Sequence, residues 1–105
     1  MRRETIGLLR AIEAHIAHKS IAEDNLNIKL EVLRTTQGPN IRFHLTRKDK
    51  TPYMDPRDYQ LYKQNPIFPT KALRKTEQVA MEAWAYLQSR KISAEIEHLP
   101  LSLLE

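Results

Sequence analysis

The sequence contains no cysteine and only two glycines, Gly7 and Gly38, among its 105 residues. Without cysteine there can be no disulfide bond, no thiolate metal site and no cysteine nucleophile. Two isolated glycines cannot form the glycine-rich loop with which many proteins hold phosphate groups. Because small secreted domains often depend on disulfide bonds, the lack of cysteine also favours a cytoplasmic protein.

Long apolar segments are absent as well. No stretch of the sequence approaches the roughly 20 apolar residues that a membrane-spanning helix requires. Two arginines follow Met1, and Arg10 and Glu13 interrupt the apolar residues after them, a pattern that is unlike a signal peptide. We therefore expect no export signal and no insertion into a membrane.

Positive charge is unevenly distributed along the chain, although the net charge of +4 is modest. Residues 1–33 have five basic and five acidic side chains, and residues 76–105 have two basic and five acidic ones. The middle block, residues 34–75, has ten basic side chains against three acidic ones, a net charge of +7. Such an excess predicts an anionic partner, which is either nucleic acid or the acidic face of another protein.

Hydrophobic spacing predicts two helices and three strands. Apolar residues recur at helical spacing over residues 4–19 and again over residues 70–91. Two segments, residues 27–34 and 40–47, alternate apolar and polar side chains around a Gly-Pro turn signal, and together they predict a β-hairpin. A weaker alternation over residues 93–99 predicts a third strand.

These elements give the order α-β-β-α-β within a single domain, residues 1–105, which is an ordinary domain size. We expect a small α+β fold in which a three-stranded antiparallel sheet carries both helices on one face. That packing buries the apolar face of the hairpin. It leaves the polar face, with Arg42 and His44, open to solvent or to a partner.

The connection over residues 47–69 is unusual because it contains four prolines, three tyrosines and one phenylalanine. The prolines exclude a long helix or a central strand. The aromatic side chains indicate an ordered loop rather than a flexible linker, with a short helical turn over residues 56–63. A loop of this length in a small domain is often functional.

No group of residues has the spacing of a known catalytic or metal site. His15 and His18 lie three positions apart on the first predicted helix, but no third ligand is near them, and protein zinc sites need three or four. The other acid–base candidates are scattered along the chain: His44, Asp55, Asp58 and His98. Nothing in the sequence brings a nucleophile, a base and an orienting group together. We expect no catalytic activity, no metal and no cofactor.

Basic and aromatic residues of the hairpin, the loop and the start of the second helix form the predicted contact surface. Lysine and arginine side chains contact phosphates or carboxylates, while tyrosines stack on bases or fill pockets at protein interfaces. The predicted contact residues are Arg42, His44, Arg47, Lys48, Lys50, Arg57, Arg74, Lys75, Tyr53, Tyr59 and Tyr62.

Two functions are compatible with this surface. The first is a non-enzymatic accessory or interaction protein (an adaptor, an inhibitor or a small subunit) that binds an acidic face of another protein. The alternative is a nucleic-acid-binding protein that contacts the phosphates of DNA or RNA with the same basic residues.

Overall fold

The computed structural model describes residues 1–35, 38–53, 68–69 and 73–101. Its regular elements are two helices and four strands, with one turn of 3-10 helix at Glu23–Asn25. In chain order they are α1 (Arg3–His18), β1 (Asn27–Thr35), β2 (Gly38–Thr46), β3 (Phe68–Pro69), α2 (Leu73–Ser89) and β4 (Ser93–Leu101). The predicted α+β class is confirmed. The helical turn expected over residues 56–63 lies outside the described residues.

The four strands form one mixed sheet in the order β3-β2-β1-β4. The hairpin is antiparallel, with Asn27 opposite Thr46, whereas β4 lies parallel to β1, with Asn27 opposite Ser93. The expectation of an antiparallel sheet therefore holds for β1, β2 and β3 but not for β4. The reason is the path of the chain: β3 pairs near the hairpin turn, α2 then runs back along the sheet, and a helical crossover of this kind joins parallel strands.

The core lies between both helices and one face of the sheet. Alternate residues of the hairpin supply the sheet side of this core, and none of them is more than 2% exposed: Ile28, Leu30, Val32, Ile41, Phe43 and Leu45. Each helix contributes a stripe of apolar residues, with Leu8 and Ile12 from α1 and Val79, Ala83 and Leu87 from α2. Folding therefore buries both helix stripes and the apolar face of the hairpin against one another. This burial of apolar surface is the main stabilising effect in such a domain.

The second face of the hairpin is buried too. Glu31, Arg42 and His44 are only 7%, 8% and 5% exposed, and Leu33 in the same row is 2% exposed. His44 contacts the Glu31 carboxylate through Nε2, and Arg42 is opposite Glu31 in the register of the two strands. The expectation that this face is open to solvent is therefore wrong. Burial of this face is tolerated because Leu33 adds apolar area and the Glu31 carboxylate contacts His44.

The start of α1 is joined to the middle of α2 by hydrogen bonds that we call the helix clamp, made by Arg2, Thr5, Gln78 and Glu82. The buried Thr5 hydroxyl donates to Glu82 Oε1 at 2.6 Å, and the Arg2 guanidinium donates to Gln78 Oε1 at 2.8 Å and also pairs with Glu82. The Thr5 hydroxyl, followed by the Arg2 backbone N–H and the charge of Arg2, holds the pKa of Glu82 below its usual range. The clamp therefore prefers an ionised Glu82.

Within the part of the chain that the structure describes, neither helix has the length and apolar character needed to cross a membrane.

Candidate functional site

One end of the sheet collects basic residues from three separate parts of the sequence. The end of β2, the start of β1 and the start of β4 are neighbours in the sheet. The segments attached to them, residues 19–26, 47–53 and 90–92, therefore lie at the same end of the molecule. They carry six basic side chains against three acidic ones. We call the six basic residues the basic end: Lys19, Arg47, Lys48, Lys50, Arg90 and Lys91.

Only part of the predicted contact surface lies here. The structure brings Arg47, Lys48, Lys50 and Tyr53 together, but it places Lys75 near the start of α2, where its Nζ lies 3.1 Å from Glu4 Oε1. The 17 residues of α2 span about 25 Å at 1.5 Å per residue. Lys75 is therefore at the opposite end of the sheet from the other four residues.

Two of the remaining predicted contact residues do not extend the basic end. Arg42 and His44 are buried on the second face of the hairpin. Arg57, Tyr59 and Tyr62 lie outside the described residues, as does the side chain of Arg74.

Residues 47–53 form a turn that is closed by its own hydrogen bonds. The Arg47 N–H donates to the Thr51 carbonyl at 2.8 Å, and the Lys50 N–H donates to the Arg47 carbonyl at 2.9 Å. Asp49 Oδ1 accepts from the Thr51 hydroxyl at 2.6 Å and from the Thr51 N–H at 3.0 Å. These bonds, the hydroxyl first, lower the pKa of Asp49. The turn is thus a fixed support for the lysines that it carries.

Asn25 attaches this turn to the body of the protein. Its Oδ1 accepts from the Lys48 N–H at 3.1 Å, and its carbonyl accepts from the Tyr53 hydroxyl at 2.6 Å. The Arg47 guanidinium lies 4.4 Å from the centre of the Tyr53 ring and donates to the Pro52 carbonyl at 3.0 Å. Arg47 and Tyr53 therefore form one stacked cation–aromatic pair on the surface.

Some charges of the basic end are paired within the protein and others are not. Lys50 Nζ lies 3.1 Å from Glu95 Oε2, and Arg90 lies 3.3 Å from Glu13 and 3.9 Å from Glu23. Among the residues that the structure describes, no carboxylate is within 4 Å of Arg47, Lys48 or Lys91. The last two are also exposed, so their ammonium groups remain available.

Three residues at this end have a left-handed backbone although none is glycine. The φ angles of Ser20, Lys50 and Lys91 are 54°, 75° and 61°. Such a conformation costs a residue with a Cβ atom about 1–2 kcal/mol relative to the right-handed one. They account for all the positive φ angles of non-glycine residues in the described segments.

Ser20 and Lys91 hold the same position at the ends of the two helices. After α2, the Ile92 N–H donates to the Leu87 carbonyl and the Lys91 N–H donates to the Gln88 carbonyl, both at 2.9 Å. The same pair of bonds follows α1, where Ser20 takes the place of Lys91. This is the Schellman motif, whose left-handed position is most often glycine.

The sequence pattern did not reveal Lys19, Arg90 and Lys91 as members of the site. Their signal was present, because basic residues in and just after the last turn of a helix mark its C-terminus. What the sequence lacked was the information that both helices end beside the turn after β2.

No metal site is formed by the described residues, in which three or more His, Asp or Glu side chains nowhere converge as ligands. Comparison of the chain with protein-family models, with curated proteins and with solved structures gives no significant match. The function is therefore argued from the residues alone.

Proposed function

We propose that this chain is a non-enzymatic interaction protein that binds an acidic face of another protein through its basic end. The observation that carries the proposal is the use of lysine at two left-handed positions, Lys50 and Lys91. Backbone strain of this kind is concentrated at functional sites, because selection for stability alone favours glycine there.

Preorganisation supports the same proposal. Lys48 and Lys50 lie on a turn closed by backbone bonds, and Lys91 lies in a Schellman motif. A charged side chain on a fixed backbone loses less conformational entropy on binding than one on a mobile loop, which improves affinity. The stacked pair of Arg47 and Tyr53 adds two residue types that often dominate interface energetics.

The balance of charge favours a protein partner over nucleic acid. Nucleic-acid affinity depends on many lysine and arginine contacts along a phosphate backbone. At the basic end, six cations are interspersed with Glu23, Asp24 and Asp49, and Lys50 and Arg90 already have carboxylate partners. A short patch of mixed sign suits a complementary protein surface, where charges give orientation and specificity.

One observation keeps nucleic acid as the second candidate. The Tyr53 ring, with the Arg47 guanidinium 4.4 Å from its centre, is the type of platform on which a base of a single strand stacks. In this alternative the same residues contact bases and phosphates.

The proposal is tested with two anionic probes, a glutamate-rich decapeptide and a single-stranded oligonucleotide of mixed sequence. The double variant Lys48→Glu and Lys91→Glu should weaken peptide binding at least about tenfold, since two close charge pairs are lost and reversed. The matched control is Arg3→Glu with Arg10→Glu, because these arginines are exposed and have no described carboxylate within 4 Å. NMR shift mapping at low salt measures both affinities.

Equal loss in the two double variants would show that only total charge matters, and the proposal would be abandoned. Tighter binding of the oligonucleotide, with an affinity that falls steeply as salt rises, would replace the protein-partner function by the nucleic-acid one.

A further inference from the structure

β4 lies at the edge of the sheet formed by the described strands. Of the strands in the described part of the chain, only β1 pairs with it. Ser93 and His98 are exposed along β4, and Ala94, Glu95, Ile96 and Glu97 are half-buried. An unpaired edge of this length is a template for another strand unless it is protected.

Neighbouring hydrogen bonds show which backbone groups of β4 point outward. The Tyr53 N–H donates to the Leu45 carbonyl at 3.2 Å, so Leu45 directs its backbone groups away from β1. Its partner Ile28 therefore directs its own groups toward β4 and bonds to the residues on either side of Ala94. Ala94 consequently faces outward, and Ile96 and His98, at every second position, do the same.

The first of these outward carbonyls is held by side chains of α2. Trp84 Nε1 donates to the Ala94 carbonyl at 3.0 Å, and Gln88 Nε2 donates to it at 3.3 Å. Trp84 is 38% exposed, and Met81 one turn before it is 61% exposed. Beyond Ala94, the outward groups of Ile96 and His98 are left beside an exposed apolar strip of α2.

The two faces of this edge differ in chemistry. Ala94 and Ile96 lie on the helix face, next to the core. Glu95 and Glu97 lie on the second face, where Lys50 and Lys29 contact one oxygen, Oε2, of each carboxylate. The structure gives the Oε1 atoms of these two described residues no partner. The edge is thus apolar on one face and acidic on the other.

A second copy of the chain fits this edge poorly. If two β4 strands paired antiparallel about a two-fold axis at Ile96, each Glu95 would lie opposite the other copy's Glu97. Moving the axis to Glu95 or Glu97 would place that residue opposite itself. Like charges directly opposite each other destabilise a pair of strands, so every central symmetric register is disfavoured.

We infer that the β4 edge accepts an extended segment of another protein in which basic and apolar side chains alternate. The basic side chains lie opposite Glu95 and Glu97, the apolar ones lie beside Ile96 and Trp84, and the backbone bonds to Ile96 and His98. Strand addition of this kind takes affinity from the main chain and specificity from alternate side chains. This surface meets the basic end at the ion pair of Lys50 with Glu95, but its test uses neither Lys48 nor Lys91, on which the test of that proposal depends.

The probe is a capped nonapeptide of alternating lysine and valine. Two control peptides are an alternating glutamate–valine nonapeptide and one with the lysines and valines in separate blocks. Trp84, the one tryptophan of the chain, reports binding by a saturable change in fluorescence. Amide hydrogen exchange measured by NMR should slow about tenfold or more at Ile96 and His98 when the alternating lysine–valine peptide is added. Neither control peptide should slow it.

A second experiment reverses the charge of the β4 edge. The double variant Glu95→Lys and Glu97→Lys should bind the glutamate–valine peptide more tightly than the lysine–valine peptide. Glu13→Lys with Glu23→Lys is the matched control, because these glutamates are also paired with a cation, Arg90, and should leave the preference unchanged. Circular dichroism checks the fold of each variant, and the experiment on the native chain stands without them.

The inference is overturned if the alternating lysine peptide leaves the exchange of Ile96 and His98 unchanged, or if the blocked peptide protects them equally. It is also overturned if the free protein sediments as a dimer with these amides already protected, since the edge would then belong to a second copy.

Discussion

α2 and the segment that follows it use charged residues in opposite ways. Within the helix, Lys75 pairs with Glu4, and Glu82 accepts from the Thr5 hydroxyl and pairs with Arg2. Beyond its end, Lys91 is exposed and has no described carboxylate within 4 Å. The helix uses charge to join α1, and the segment after it presents charge to the surroundings. The formal charge of a segment therefore says little about how much of it is available to a partner.

The same comparison revises the meaning of the basic middle block. Its excess of +7 is counted over neighbours in sequence. In the fold, Lys50 pairs with Glu95 and Lys75 with Glu4, so acidic residues from the other two parts of the chain offset it. The basic end is distinguished by a few cations that have no described carboxylate within 4 Å, and Lys48 and Lys91 are among them.

Removing the buried hydroxyl of the helix clamp should have the largest effect. Thr5→Val keeps the shape of the side chain but leaves Glu82 without its 2.6 Å hydrogen bond, and the loss should be about 1–2 kcal/mol of unfolding free energy. Urea denaturation measures it. Thr5→Ser, which keeps the hydroxyl, is the control, and a larger loss in Ser than in Val would show that packing rather than the bond matters.

Acid should weaken the helix clamp. The pKa of Glu82 is lowered from 4.5 in the folded protein. Its contribution is therefore fully present above the unfolded value and is lost as the pH falls through the folded one. In Glu82→Gln the difference in stability from the native chain should be larger at pH 6 than at pH 3.

Thermal unfolding across this range measures that difference. Glu77→Gln, a substitution of the same kind on the same helix but outside the clamp, is the control. An equal change in both variants would contradict a special role of the clamp.

Glycine at the left-handed position after α1 should stabilise the protein. Ser20→Gly relieves the strain of a φ angle of 54° and should raise the unfolding free energy by about 1 kcal/mol. Ala85→Gly instead places glycine at an exposed position inside α2, where glycine should cost about 0.5–1 kcal/mol. If both variants shifted chemical denaturation in the same direction, the strain assigned to Ser20 would be wrong.

The smallest effect on stability is expected at the available lysines. Lys48→Ala removes an exposed side chain without a described carboxylate partner and should change the unfolding free energy by less than about 0.5 kcal/mol. Arg2→Ala, which breaks the clamp, should lose more in the same assay. Equal losses would remove the distinction between structural and available charge.

Local patterns predicted the helices and the hairpin because they depend on neighbours in sequence. Ile28, Leu30 and Val32 alternate in a way that assigns one strand face to the core without any knowledge of the fold. The parallel position of β4 depends instead on where residues 47–72 take the chain, which periodicity does not record. The two-residue β3 is shorter than any pattern that alternation can reveal.

The candidate site was predicted only where it is continuous in sequence. Arg47, Lys48, Lys50 and Tyr53 lie within one turn, so their proximity follows from their spacing. Lys91 reaches them through the parallel crossover, which the sequence reasoning did not predict. The burial of Arg42 was also missed, because alternation separates the two faces of a strand but does not say which of them remains in water. The apolar Leu33, on the same face as Arg42, was the one residue that indicated burial of that face.

The parallel pair of β1 and β4 also sets the order in which the protein can fold. Asn27 and Ser93 are 66 residues apart. A hairpin closes in about 1–10 μs, whereas a ribosome adds only about 5–20 residues per second. For seconds during synthesis, the hairpin can therefore close while one side of β1 has no neighbouring strand, and an isolated hairpin is only marginally stable. A nascent chain stalled before residue 93 should accordingly be the species most prone to misassembly and most dependent on chaperones.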